Sequence, residues 1–120
     1  MSHSQRSQWY SGLTVGLKRY NFYTFTSEAF TLEFEYDEVK SLSNKAEHGM
    51  DFAEVQILWS DERLVEVQAR TEDEPRFLVI GRISGVHWSV VVTYRNDRVR
   101  LISVRRSRTE EVAIYEGQEL

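Results

Sequence analysis

The chain has 120 residues, a size that fits one domain with a core of its own. It contains no cysteine, which excludes disulfides and thiolate metal sites. No apolar run approaches the ~20 residues of a membrane span, and the N-terminus lacks the layout of a secretory signal, so the cytoplasm is the expected compartment. The net charge of −4 is unevenly spread. Residues 76–108 hold eight arginines against one acid, Asp97, for a net +7, while the rest of the chain carries −11. Such a split suggests two faces with different partners. Arginine rather than lysine supplies all the charge of the basic segment, and its planar fork suits phosphate oxygens.

Residues 1–30 are rich in Ser, Thr and Tyr and show no clear period. They read as an extension of a domain covering 31–120, either loosely attached or contributing an added strand within Tyr20–Phe30. Thr31–Tyr36 alternates apolar and acidic residues and reads as a strand. Asp37 then caps a helix running through Val39, Leu42 and Ala46, which Gly49 ends. Asp51 and Glu54 resemble a capping box for a short helix through Val55, Leu58 and Trp59. Four strands are expected next, at 64–69, 76–83, 86–94 and 98–104. Ser84–Gly85 and Arg95-Asn96-Asp97 turn the chain between them, which implies an antiparallel meander. Ser107 and Glu110 have capping-box spacing for a last helix, carrying Val112, Ile114 and Tyr115 and ending at Gly117. The predicted class is α+β: an antiparallel sheet of four or more strands, two helices before it and one C-terminal helix.

An ordered set of short motifs lies on this frame. Phe34-Glu35-Tyr36-Asp37-Glu38 is followed by Lys40, Asn44, His48-Gly49 and Phe52. Then come Arg76, Ile80-Gly81 and Arg82, and last Arg100-Leu101-Ile102-Ser103-Val104-Arg105-Arg106 with Tyr115. From about residue 32 to 116 the chain resembles BrnT-type toxins of type II toxin–antitoxin systems, in the RelE-like superfamily. The extension at 1–30 and the acidic net charge depart from that pattern. The resemblance implies a RelE-like toxin that cleaves RNA and arrests growth. It also implies a BrnA-type antitoxin that brings the DNA-binding domain, so that operator DNA is met only through the antitoxin.

Metal-free RNA cleavage requires a proton to leave a 2′-OH, a proton to reach the leaving 5′-oxygen, and charge on phosphorus to be stabilised. Arg76, Arg100, Arg105 and Arg106 are the candidates for the last task, expected to converge beside the N-terminus of the last helix. The alternative for Arg76 is neutralisation of Glu72, Asp73 and Glu74. His48 is the candidate for proton transfer, against a role as a plain helix-end residue before Gly49. His87, opposite the Trp88 face, reads first as an exposed strand residue. Lys40 and Asn44, one turn apart, either meet RNA or brace the sheet. Arg82 and Arg98 are further candidate RNA contacts. Trp88, Tyr94 and Tyr115 suit base stacking, although a core position is the commoner use of such aromatics. Neither a metal nor an organic cofactor is expected, since the three histidines are scattered and no Gly-rich phosphate loop is present.

Two functions remain open at this level. One is an endoribonuclease toxin neutralised by its antitoxin. The other is a catalytically degenerate toxin that serves as an antitoxin-binding co-repressor, its arginines meeting an acidic antitoxin segment. A generic RNA-binding domain is disfavoured by the absence of familiar RNA-binding signatures.

Overall fold

A computed structural model describes residues 18–19, 32–69 and 74–117. The segment Tyr20–Phe30, the place of the expected added strand, lies outside the described residues. In chain order the elements are β1 (Lys18–Arg19), β2 (Glu33–Glu35), α1 (Glu38–His48), a 3₁₀ helix (Glu54–Ser60), β3 (Val65–Ala69), β4 (Arg76–Ile83), β5 (Val86–Arg95), β6 (Arg98–Arg106) and α2 (Thr109–Glu116). The described strands form one sheet in the order β1-β3-β4-β5-β6-β2. The fold is α+β with a mostly antiparallel sheet and a C-terminal helix, consistent with the RelE-like architecture.

The meander follows from local chemistry. Ser84 and Gly85 have φ of 52° and 83°, and Asn96 and Asp97 have 52° and 67°. Two consecutive left-handed residues make the turn whose twist matches a tight hairpin. Val86 pairs with Ile83 and Arg98 with Arg95, so the second turn needs only Asn96 and Asp97. β2 departs from the meander: it runs parallel to β6, with Phe34 opposite Val99.

The two sheet faces carry different layers. On one, Val79, Trp88, Val90, Val92 and Val104 pack with Phe52, Val55, Leu58 and Trp59 of the 3₁₀ region. On the other, Val65, Val67, Leu78 and Ile80 pack with Tyr115 of α2. A bulge sets the parity of β6: Val91 pairs with Ser103 and Val92 with Leu101, leaving Ile102 as the extra residue. Val99, Leu101 and Val104 therefore all reach the first core, while Arg98, Arg100 and Arg105 point to the α2 face.

Helix ends follow the sequence with one change. Asp37 Oδ1 accepts from the amides of Val39 (2.8 Å) and Lys40 (3.4 Å), and Gly49 has φ 82°. Asp51 and Glu54 exchange the two hydrogen bonds of a capping box, at 2.7 and 3.0 Å. At α2 the register is one residue later than the sequence suggests. Glu111, not Glu110, reaches back to the Arg108 amide at 2.9 Å, and Ser107 is bonded to Ser89 instead. α1 is also inverted relative to ordinary amphipathic packing: Ser41 and Asn44 are buried, whereas Val39 and Leu42 are exposed.

Candidate functional site

The α2 face of the sheet is basic at the end away from α2. Arg76 stands at the start of β4 and Arg95, Arg98 and Arg100 at the turn between β5 and β6. Each side chain is a third to a half exposed. The two acids of β2 meet them. Glu33 Oε1 accepts from Arg98 Nε at 3.2 Å, and Glu35 Oε2 accepts from Arg100 Nη1 at 3.0 Å. Glu35 also lies 3.7 Å from Arg98 and 3.8 Å from Arg95, and Arg76 lies 3.8 Å from Glu74. Three arginines thus share two carboxylates, and such half-exposed pairs are individually weak, about 0–1 kcal/mol. Arg76 and Arg100 sit two strands apart on either side of β5, about 10 Å by sheet spacing. The hydroxyl of buried Thr93 ties the gap, donating to the Pro75 carbonyl at 2.6 Å.

Arg105 and Arg106 do not join this group. β6 continues through Arg106, which pairs with Trp88, so the two side chains take opposite faces. Arg105 makes two hydrogen bonds of 2.8 Å to the carboxylate of Glu111 on α2. Arg106 lies over the Trp88 ring, 5.7 Å from its centroid, on the side of the first core. The expected convergence of four arginines is therefore corrected. Arg76 and Arg100 share one end of a face, Arg105 is clamped to α2, and Arg106 is on the reverse side. The strand outlasts the predicted 98–104 because the Trp88 partner holds its last residue.

On the α1 side, Asn44 bridges α1 to β6. Its amide donates to the carbonyls of Met50 (2.8 Å) and Val104 (2.9 Å), and its oxygen accepts from the Val104 amide at 3.2 Å. β2 has ended by this level, so the Asn44 amide supplies the donor and acceptor that a neighbouring strand would. Of its two sequence readings the structure shows the brace, and Asn44 is corrected from a surface contact. Lys40 is exposed and has no ion pair among the described residues. His48 is exposed at the end of α1, with Glu47 at 3.7 Å. Tyr94 stands at the rim of the first-core face, 39% exposed, and donates its hydroxyl to buried Glu66 at 2.7 Å; burial pushes its phenol above the usual range.

A group that sequence reasoning underrated lies at the opposite end of the α2 face. Asp61 Oδ2 accepts from the Arg82 amide (2.7 Å) and the Tyr115 hydroxyl (2.8 Å). Burial, then the Asp61 hydrogen bond and charge, push the Tyr115 phenol up to about 12, against Arg82 and Arg63. The His87 ring meets Tyr115 edge-on at 5.2 Å, and its Nε2 lies 2.8 Å from Glu116. A depression lined by Ile57, Ser60, Asp61, Arg82, Ile83 and Ser84 borders the group. The available signal was the alternation of β5, which sets His87 on the face of Ser89 and Val91, and the spacing of Tyr115 within the last helix.

The described helices include none long and apolar enough to cross a membrane. No curated protein matches the chain. The sequence pattern of one family does match: residues 36–111 fit the family described as the ribonuclease toxin, BrnT, of type II toxin–antitoxin systems. That stretch runs from the residue before the α1 cap to Glu111, taking in the basic face, the brace at Asn44 and the clamp that docks α2. The chain belongs to the BrnT family of ribonuclease toxins.

Proposed function

We propose that the chain is a cytoplasmic endoribonuclease that cleaves RNA without a metal ion and arrests growth when unopposed. A cognate BrnA-type antitoxin holds it inactive and is its route to operator DNA. Residues 31–120 form the toxin domain, and 1–30 are an extension to it. The observation that carries this reading is the basic end of the α2 face, where Arg76, Arg98 and Arg100 are half exposed and held only by weak surface pairs. A phosphate can replace a carboxylate on a guanidinium fork with little loss. Arg98 and Arg100 bind the RNA backbone and Arg76 approaches from the other side of Thr93. Lys40 and His48 on α1, with Arg106 beside Trp88, extend contacts over the sheet edge; Arg82 serves the far end of the same face.

One observation favours the second reading, a degenerate toxin that acts as a co-repressor. Glu33 and Glu35 already occupy the arginines that RNA would use, and Glu111 occupies Arg105. Induced expression in a bacterial host, alone and with the antitoxin encoded beside it, separates the two. Growth arrest relieved by the antitoxin, with RNA cleavage by the purified chain in excess EDTA, is the expected result. Folded protein that leaves growth and RNA untouched yet binds the antitoxin would establish the co-repressor.

A further inference from the structure

The end of the sheet at the β4–β5 turn holds two ionisable groups, His87 and Glu116, that the reading above leaves without a task beside Arg82. His87 and Arg82 are register partners on adjacent strands, so their side chains stand together on the α2 face, with Cβ atoms about 5 Å apart. Nε2 of His87 lies 2.8 Å from Oε2 of Glu116 in the last turn of α2. The Tyr115 ring backs the imidazole, and the His87 carbonyl accepts the Ser107 amide at 3.0 Å. The imidazole is thus held by α2 while the His87 backbone is tied to Ser107, yet a fifth of its side chain reaches solvent, and Glu116 is half exposed. Arg82 differs from Arg76, Arg98, Arg100 and Arg105 in one respect: its guanidinium has no ion pair among the described residues. Its charge is therefore available to an incoming anion.

We propose that His87, Glu116 and Arg82 form a phosphodiester site in which His87 moves the proton during RNA cleavage. This rests on the reading of the chain as an RNA-cleaving toxin and places its chemistry at the turn end of the sheet. Glu116 accepts from Nε2–H, which leaves the lone pair of the neutral ring on Nδ1. Nδ1 takes the proton of a ribose 2′-OH as the 2′-oxygen bonds to phosphorus. The bond from phosphorus to the 5′-oxygen breaks, and that oxygen takes a proton from water. The products are a 2′,3′-cyclic phosphate and a 5′-hydroxyl, and the imidazolium, held by Glu116, returns its proton to solvent. Arg82 offers the fork that meets the non-bridging oxygens as charge builds there. The charged and titratable groups around His87 are Glu116 and Tyr115 from α2, Arg82 from β4, Asp61 and Arg63 behind Tyr115, and Arg106 and Arg108 flanking Ser107.

The test uses the full chain and its His87→Gln, Glu116→Gln and Arg82→Ala variants. Cleavage of an oligoribonucleotide is read against pH, with thermal midpoints measured alongside. His87→Gln is expected to slow cleavage by about 10²–10⁴-fold. Glu116→Gln is expected to slow it less and to lower kcat with KM unchanged, because the amide can still orient the ring but carries no charge to hold the imidazolium. Arg82→Ala is expected to raise KM. Wild-type cleavage by a folded His87→Gln variant overturns the site while leaving the ribonuclease reading intact. If the unmodified chain cleaves no RNA, that reading fails, and the site is decided by NMR of the His87 ring titrated with uridine 3′-phosphate. A shift lost in Arg82→Ala supports a phosphate site, and no shift overturns it.

Discussion

Arg105 and Glu111 face each other across the junction of β6 and α2 through two hydrogen bonds of 2.8 Å, and Glu111 is 1% exposed. The same carboxylate accepts from the Ser89 hydroxyl at 2.8 Å and from the Arg108 amide at 2.9 Å. One acid therefore caps α2, neutralises a strand arginine and pins the helix to β5. Arg105→Ala leaves that carboxylate buried with its main counter-charge gone, which costs about 3–5 kcal/mol. Urea unfolding is expected to show a loss of that size. Any fall in RNA cleavage by this variant then has to be measured on protein shown to be folded.

The clamp also sets an acid limit. Burial alone would raise the Glu111 carboxyl, but hydrogen bonds from Arg105, the Arg108 amide and Ser89, with the Arg105 charge, outweigh it and hold the group at about 2 against an ordinary 4.5. A carboxyl depressed on folding contributes stability that is full above its unfolded value and is lost as pH falls through its folded one. Thermal midpoints should therefore decline between about pH 4.5 and pH 2, with roughly 3 kcal/mol at stake. Glu111→Gln should lower the midpoint near pH 7 and flatten the decline in that window. An equally steep decline in the variant would assign the acid sensitivity to other carboxylates.

Asn44 carries three hydrogen bonds to backbone groups of Met50 and Val104 from a site 7% exposed. Asn44→Leu keeps the approximate volume and strands those groups, at about 1–3 kcal/mol each if they stay buried and unsatisfied. A destabilisation of about 2 kcal/mol or more, with amide exchange accelerated at Val104, is expected. A neutral substitution with weakened RNA binding would restore Asn44 to the surface.

Gly81 has no unusual backbone angle, and its requirement is space. An added Cβ would lie 2.7 Å from Leu64 Cδ1 and 2.9 Å from Leu58 Cγ, both fully buried. Gly81→Ala is expected to cost about 1–3 kcal/mol by overpacking, seen as a lower urea midpoint at unchanged slope.

The meander, its two tight turns and the caps at Asp37 and Gly49 were legible because period-two alternation and turn residues act within a few positions. The placement of the arginines was not. By strict alternation Arg100 and Arg105, five residues apart, take opposite faces. The bulge at Ile102 cancels that difference, and nothing local in Leu101-Ile102-Ser103 marks it. The end of β6 was misplaced for a related reason. Ser107 with Glu110 and Arg108 with Glu111 both offer the spacing of a cap, and the choice between them is made by Arg105 and Ser89, which are distant in sequence or hidden by that parity. For Asn44 the brace was one of two readings left open by the sequence, and the choice depends on β2 ending beside β6 and leaving an edge to fill.

Arg76 and Arg100 carry the sharpest test of the basic face. Both are partly exposed, paired only with Glu74 and Glu35 among the described residues, and set on either side of Thr93. The double variant Arg76→Ala, Arg100→Ala should keep its fold, because exposed pairs of this kind contribute little. If each arginine neutralises one phosphate of a single strand, the slope of log affinity for RNA against log salt falls by about 0.7 per lost contact. The double variant should then bind an oligoribonucleotide with a slope shallower by roughly 1.4, and binding at low salt should weaken more than binding at high salt. Fluorescence anisotropy at several salt concentrations reads both effects. An unchanged slope would remove RNA from this end of the sheet. If antitoxin affinity fell in the same variant, Arg76 and Arg100 would belong to the partner surface, and the RNA contacts would have to come from Arg82, Arg106 and the His87 end of the face.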